Sequence, residues 1–171
     1  IHSDASIDLV AFTTHVQIKN GNVLQANLLT SGSWIRHGNI PALEILAFSI
    51  ALEKNNTLLQ NHQSTLFTNE KWNLYFILDS TCALYSLCPS KMSKSILQRN
   101  VKTQTMSVFT QLSSNFPGLE IYLCHVPTTM MIADLATKRP TAIVEALNSN
   151  HWRHASSCLL YTSDAADDTS R

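Results

Sequence analysis

Asp134 is an awkward residue for its place. It lies in the stretch LCHVPTTMMIADLATKR, residues 123–139, among Met130, Met131, Ile132, Ala133, Leu135 and Ala136, on what reads as an amphipathic helix. A charge there is costly without a partner, and aspartate is a mediocre helix-interior residue because its side chain competes for nearby backbone groups. His125 stands nine positions earlier. Three more carboxylates hold pointed positions: Asp4 on a first strand, Glu44 on a first helix, and Asp79 at the end of a central strand. Asp8, Glu53, Glu70, Glu120 and Glu145 lie near polar neighbours or at element ends and ask for no special explanation.

Taken singly, each of the four has an ordinary reading. Asp4, between serines, could make turn hydrogen bonds. Glu44 would complement a helix dipole, Asp79 could serve as an N-cap, and Asp134 could face water. As a set they imply more. If the first and fourth strands are neighbours, Asp4 and Asp79 meet at the sheet centre, and two helices packed on that sheet can bring Glu44 and Asp134 alongside. Four clustered carboxylates repel one another unless neutralised, and hard divalent cations with oxygen ligands are the natural neutralisers. Such a cluster can hold two Mg²⁺ roughly 4 Å apart, which suits hydrolysis of a phosphodiester.

The elements that must do this positioning follow from periodicity. LVAFTTHVQI, residues 9–18, and VLQANLLT, 23–30, read as strands joined at Asn20-Gly21, a strong hairpin signal. With the short segment ending at Asp4 they form an antiparallel meander. PALEILAFSIALEKN places Leu43, Leu46, Ala47, Ile50 and Ala51 at helical spacing, with Pro41 in the first turn, and a looser polar stretch spans roughly 55–71. WNLYFIL, 72–78, is a continuous apolar run expected to be covered on both faces. Asp79-Ser80-Thr81 offers N-cap chemistry for the short helix CALYSL. A long helix over roughly 90–114 would bury Ile96, Leu97, Val101, Val108, Phe109 and Leu112. The strand LEIYLCHV follows, then a helix from about Met130 that bends or breaks at Pro140. The order implies an α/β fold: a mixed five-stranded sheet, three antiparallel strands and then two more, with helices on both faces.

The totals set bounds. The chain of 171 residues suits one domain with a real core, and no run approaches the apolar length of a membrane helix. No membrane partner is expected, and IHSDASID lacks the regions of a secretory signal. Cys82, Cys88, Cys124 and Cys158 show no metal spacing and are expected to be reduced thiols. The first strand is expected to have lost its start. The tail CLLYTSDAADD is similar to the translation of a transposase adapter used in sequencing libraries, so 158–171 is set aside as non-native. The remaining divisions are a domain over 1–148 and the start of a linker over 149–157. Residues 1–157 carry 11 basic and 9 acidic side chains, a balance too mild to indicate a nucleic-acid partner by itself.

The motifs SDAS, IPALEILA, LDST and HVPTTMMIADLATKR, in that order, resemble a ribonuclease H domain of the kind found in BEL/Pao-type long-terminal-repeat retrotransposon polyproteins. There the first helix typically reads IPRLELLA and the last motif HVPTxxNPADLASRG. NSNHWRHA, 148–155, is similar to the tryptophan-containing segment that follows the domain in that family. The resemblance implies a ribonuclease H-like fold and an endonuclease that hydrolyses the RNA strand of RNA/DNA hybrids during reverse transcription. It implies two Mg²⁺, with Mn²⁺ as a substitute, held by Asp4, Glu44, Asp79 and Asp134. His125 matches a loop histidine that assists proton transfer or product departure; its ordinary reading is a strand-end histidine bonded to backbone. Partners implied are the hybrid itself and the reverse transcriptase and integrase regions of the same polyprotein, in a cytoplasmic virus-like particle. Two departures stand out: Met131-Ile132 replaces Asn-Pro, and LTSGSWIR lacks the lysine common after the third strand.

For substrate contact the best basic surface is on the long helix, where Lys91, Lys94 and Lys102 share a side with Gln98, and Arg99 is adjacent. A solvated helix face is the ordinary reading of such a pattern. Trp34 and Trp72 are read as packing residues. The competing class is a catalytically inactive remnant or nucleic-acid-binding connection domain of the same architecture. Convergence of the carboxylates favours the enzyme and their dispersal favours the remnant.

Overall fold

The computed structural model describes residues 1–20, 23–61, 71–87, 95–148 and 157–161. Strands β1 (His2–Ala5), β2 (Leu9–Asn20) and β3 (Val23–Ile35) form the meander. Helix α1 (Ile40–Asn61) leads to β4 (Trp72–Leu78), then α2 (Thr81–Leu87), α3 (Ile96–Asn115) and β5 (Leu119–His125). A 3₁₀ turn, Thr128–Met130, introduces α4 (Ile132–Lys138). A second, Pro140–Ala142, separates it from α5 (Ile143–Asn148), where a proline interrupts the helical hydrogen bonding as expected. The last strand is β6 (Ser157–Tyr161).

The strands lie in the order β3-β2-β1-β4-β5-β6. β1 and β4 are parallel, as are β4 and β5, while the remaining pairs are antiparallel. This is the mixed α/β sheet expected from sequence, three antiparallel strands followed by two more. Side chains alternate between its faces. Phe12, Phe76, Leu78, Ile121 and Leu123 pack against α1, α2 and α3 in the main core. Ala11 and Ala26, on the other face, receive Ile132, Ala136, Ile143 and Leu147 from α4 and α5.

Several elements depart from the sequence expectation. β3 runs to Ile35 rather than Thr30, because pairing of Asn20 with Val23 and one irregularity at Thr14/His15 give Leu9 the partner Ile35. Gly32 permits this: a Cβ there would come within 2.6 Å of the Trp34 ring, which stacks on Phe12. α1 continues through 55–61, which looked like a polar stretch. Asn55 does not break it, because its amide donates to the Ala51 carbonyl and accepts from the Thr14 hydroxyl, buried between α1 and β2. Leu46 and Ile50 are only half-buried, and Ile45, Phe48 and Leu52 carry more of the contact. Ile96 is 68% exposed, because it stands five residues, roughly 140° of helix, from Val101 on the buried stripe. Leu97 is exposed too, in the first turn. β4 is covered on one face only at its start, so Asn73 and Tyr75 face outward and Tyr75 stacks on Tyr122 of β5.

A sixth strand extends the five expected. It falls at the start of the segment set aside as tail, and it places Cys158 directly opposite Cys124, where the two form a disulfide. The expectation of reduced thiols is corrected for this pair, since cross-strand partners are close enough to bond. Cys82 is exposed and carries a free thiol, while Cys88 lies outside the described residues.

Phe48 is fully buried and meets Phe76, which in turn meets Phe109, so one aromatic chain ties α1 and α3 to β4. Phe48→Ala is expected to lower the unfolding free energy by about 4 kcal/mol in a urea titration, with an unchanged slope.

Candidate metal centre

Asp4 is the third residue of β1, and Asp79 follows directly on β4. Because these strands are parallel neighbours, both carboxylates emerge at the same end of the sheet. α1, which connects the meander to β4, starts at that end and carries Glu44 in its second turn. Asn39 holds the start of this helix, its side chain accepting the Ala42 amide. One carboxylate oxygen from each of Asp4, Glu44 and Asp79 lies within 4.8 Å of the other two. Asp4 and Glu44 are buried, while Asp79 is half-buried.

Asp79 had a competing reading as the cap of α2. Ser80 does that instead, its hydroxyl accepting the Ala83 amide, so the Asp79 carboxylate is left to the acidic cluster. His125, at the end of β5, places Nε2 3.1 Å from the Asp79 main-chain oxygen. A carbonyl oxygen only accepts, so Nε2 carries the hydrogen and Nδ1 is the acceptor of the neutral ring. The contact is the strand-end backbone bond of the ordinary reading, and it sits on a residue of the cluster.

The charge balance is unfavourable as it stands. Burial, with the charges of Asp79 and Asp134 added, pushes Asp4 up to about 7. Burial, then Asp4 and Asp79, pushes Glu44 up to about 8. The Ala5 amide donates to both carboxylates and opposes these shifts without cancelling them. Glu44 Oε2 is buried with no hydrogen-bond partner. An orphaned carboxylate oxygen facing two more carboxylates is a donor set for a hard divalent cation, so the residues fit Mg²⁺ or Mn²⁺.

Asp134 stands in the first turn of α4, half-buried, near enough for its charge to raise Asp4. It lies outside the group of three, and both its oxygens are held by Lys138, at 2.7 and 2.9 Å. α4 reaches this end of the sheet by packing on β1 and β2, with Ile132, Ala133 and Ala136 buried. Met131 is buried and precedes the helix in extended conformation. Of the basic residues, Arg99 is exposed and Lys102 half-buried on α3, which packs against α1, α2 and β5. Lys91 and Lys94 lie outside the described residues.

Sequence reasoning missed three participants. Lys138 had a signal, since it follows Asp134 by four positions on a helix. Ser80 was visible as one of three cap candidates. The Ala5 amide, a backbone donor, has no signature in residue type.

Among known proteins, no family model matches the chain, and no curated protein does. A solved structure that is similar is ribonuclease H1 from the halophilic archaeon Halobacterium salinarum NRC-1. The identity is 14%, the coverage 75% of this chain and 84% of that one, and the TM-score 0.47. The carboxylates, rather than this likeness, carry the functional reading.

The raised carboxyls make stability depend on pH in a defined direction. The folded state holds these protons more tightly than the unfolded chain. Their stabilising contribution is therefore complete below about pH 4 and is lost as pH rises towards about 8. In metal-free buffer Glu44→Gln is expected to be more stable than the parent at pH 8, by on the order of 2 kcal/mol, with the difference vanishing near pH 4. Thermal melts at the two pH values check this, and equal differences at both would contradict it.

Proposed function

We propose that the protein is a ribonuclease H-type endonuclease that hydrolyses the RNA strand of RNA/DNA hybrids with two divalent cations. The observation that carries this reading is the convergence of Asp4, Glu44 and Asp79 within 4.8 Å, with two of the three buried and only partly compensated. Asp4, Glu44 and Asp79 would hold one ion, and Asp134 would join in holding the second. When bound, such ions supply an activated water and stabilise the departing oxygen of the phosphodiester. His125, with Nε2–H donated to the Asp79 carbonyl, would assist proton transfer or product departure near the ions. Convergence of the carboxylates supports the enzyme over the inactive remnant.

The finer reading rests on the sequence motifs. Phosphate contacts would position the hybrid, with Arg99 and Lys102 as candidates together with Lys91 and Lys94, and contacts to 2′-hydroxyls would mark the RNA strand. The motif order supports a BEL/Pao-type retrotransposon polyprotein, in which the domain would work beside reverse transcriptase and integrase regions in a cytoplasmic virus-like particle, removing template RNA.

The test is cleavage of a labelled RNA/DNA hybrid in Mg²⁺, beside duplex DNA. The RNA strand alone is expected to be cut. Asp79→Asn, which leaves the Ser80 cap in place, is expected to lower the rate by at least about a hundredfold with an unchanged far-ultraviolet circular dichroism spectrum. Full activity in that variant would sink the assignment.

A further inference from the structure

The ammonium of Lys138 sits where a metal reading of the site has use for a cation. Nζ lies 2.7 Å from Asp134 Oδ1 and 2.9 Å from Oδ2, so both oxygens of the fourth carboxylate are engaged at once. The two side chains are unequally placed. That of Asp134 is 22% exposed, on a helix whose neighbouring Ile132, Ala133 and Ala136 are buried, whereas that of Lys138 is 62% exposed. The carboxylate is therefore the fixed member of the pair, and the lysine, on a flexible stem reaching in from solvent, is the movable one. Asp4 and Asp79 both favour the charged form of Lys138. The ammonium thus feels two carboxylates of the acidic cluster and not only its helical neighbour.

We infer that Lys138 is a built-in competitor for the second divalent cation: it occupies Asp134 and must be displaced before that carboxylate can join a metal. The inference rests on the metal-centre reading above and adds to it an order of events. Among the described residues, no cation forms such an ion pair with Asp4, Glu44 or Asp79. A metal ion that uses Asp134 must replace a monovalent point charge already bound to the same two oxygens. A divalent ion outbids the ammonium by charge, and the solvent-exposed lysine swings out at little cost. The result is a site that fills in two steps of unequal affinity. An ion pair that only stapled the short helix α4 would leave the filling order untouched.

The experiment titrates the full chain with Mn²⁺, following the free ion by electron paramagnetic resonance, in the parent, Lys138→Gln, Asp134→Asn and the double variant. The parent is expected to show a stronger and a weaker class of site. Lys138→Gln should strengthen the weaker class by about two- to fivefold, the range expected of a partly exposed ion pair, while leaving the stronger within about 1.5-fold. In the Asp134→Asn background the lysine substitution should change neither. In a parallel titration with diamagnetic Mg²⁺, the ¹⁵Nζ resonance of Lys138 should move only in the second phase. Equal strengthening of both classes would overturn the inference, because the lysine would then act through its field alone; an unchanged weaker class would overturn it as well. Either failure leaves two classes of site in the parent and so leaves the metal centre standing. Absence of any binding to the parent removes the metal centre and this inference with it.

Discussion

Asp4 and Asp79 are neighbours because β1 and β4 run parallel, and most of the molecule is arranged around that pairing. Parallel strands cannot be joined by a tight turn. Here the connection from the meander returns the chain along α1, which covers one face of the sheet and opens at the end where both strands finish. One topological requirement thus places three carboxylates together, two by strand direction and the third by the helix that makes the crossover possible. The aromatic chain Phe48–Phe76–Phe109 holds that helix against β4, so core packing and site geometry share the same contacts.

The cost of the arrangement is electrostatic. Two carboxylates are buried beside each other and a third, with one amide hydrogen from Ala5 between them and one oxygen of Glu44 unpaired. Apolar substitutes would be more stable there, and a group of charges kept in so poor a setting signals a task other than holding the fold. The chain spares the cluster a further conflict by giving the cap of α2 to Ser80. A carboxylate committed to a helix amide would have fewer oxygens to offer elsewhere.

Much of this is legible in the sequence, and the illegible remainder has physical causes. β4 shows as an apolar run, and its bounds are those the residues suggest; the carboxylates stand out by falling among residues that do not suit them. What local pattern cannot give is the outcome of contacts between distant segments. The end of α1 hides behind Asn55, which looks like a breaker until its amide finds Thr14, 41 residues away. The open face at Asn73 and Tyr75 reads as buried because a run of large side chains does not say how far the opposing helices reach. Ile96 reads as core because it is apolar, though its angle around α3 turns it outward. The hold of Lys138 on Asp134 lay within the quoted motif but needed helix phase, not residue type, to be seen.

The three clustered carboxylates come from segments separated by almost half of the chain, and the fourth lies 55 residues beyond Asp79. None of the segments has a neighbour in the cluster until the crossover has closed, so the site is a product of long-range contacts, which form slowly and late. During synthesis the chain therefore carries no assembled acidic centre while β1, β2 and β3 are emerging, nor until β4 has docked beside β1. A chain in which β4 has not yet docked beside β1 has no assembled centre with which to act. The centre is assembled as a consequence of pairing the sheet's two halves, and by nothing local to any one segment.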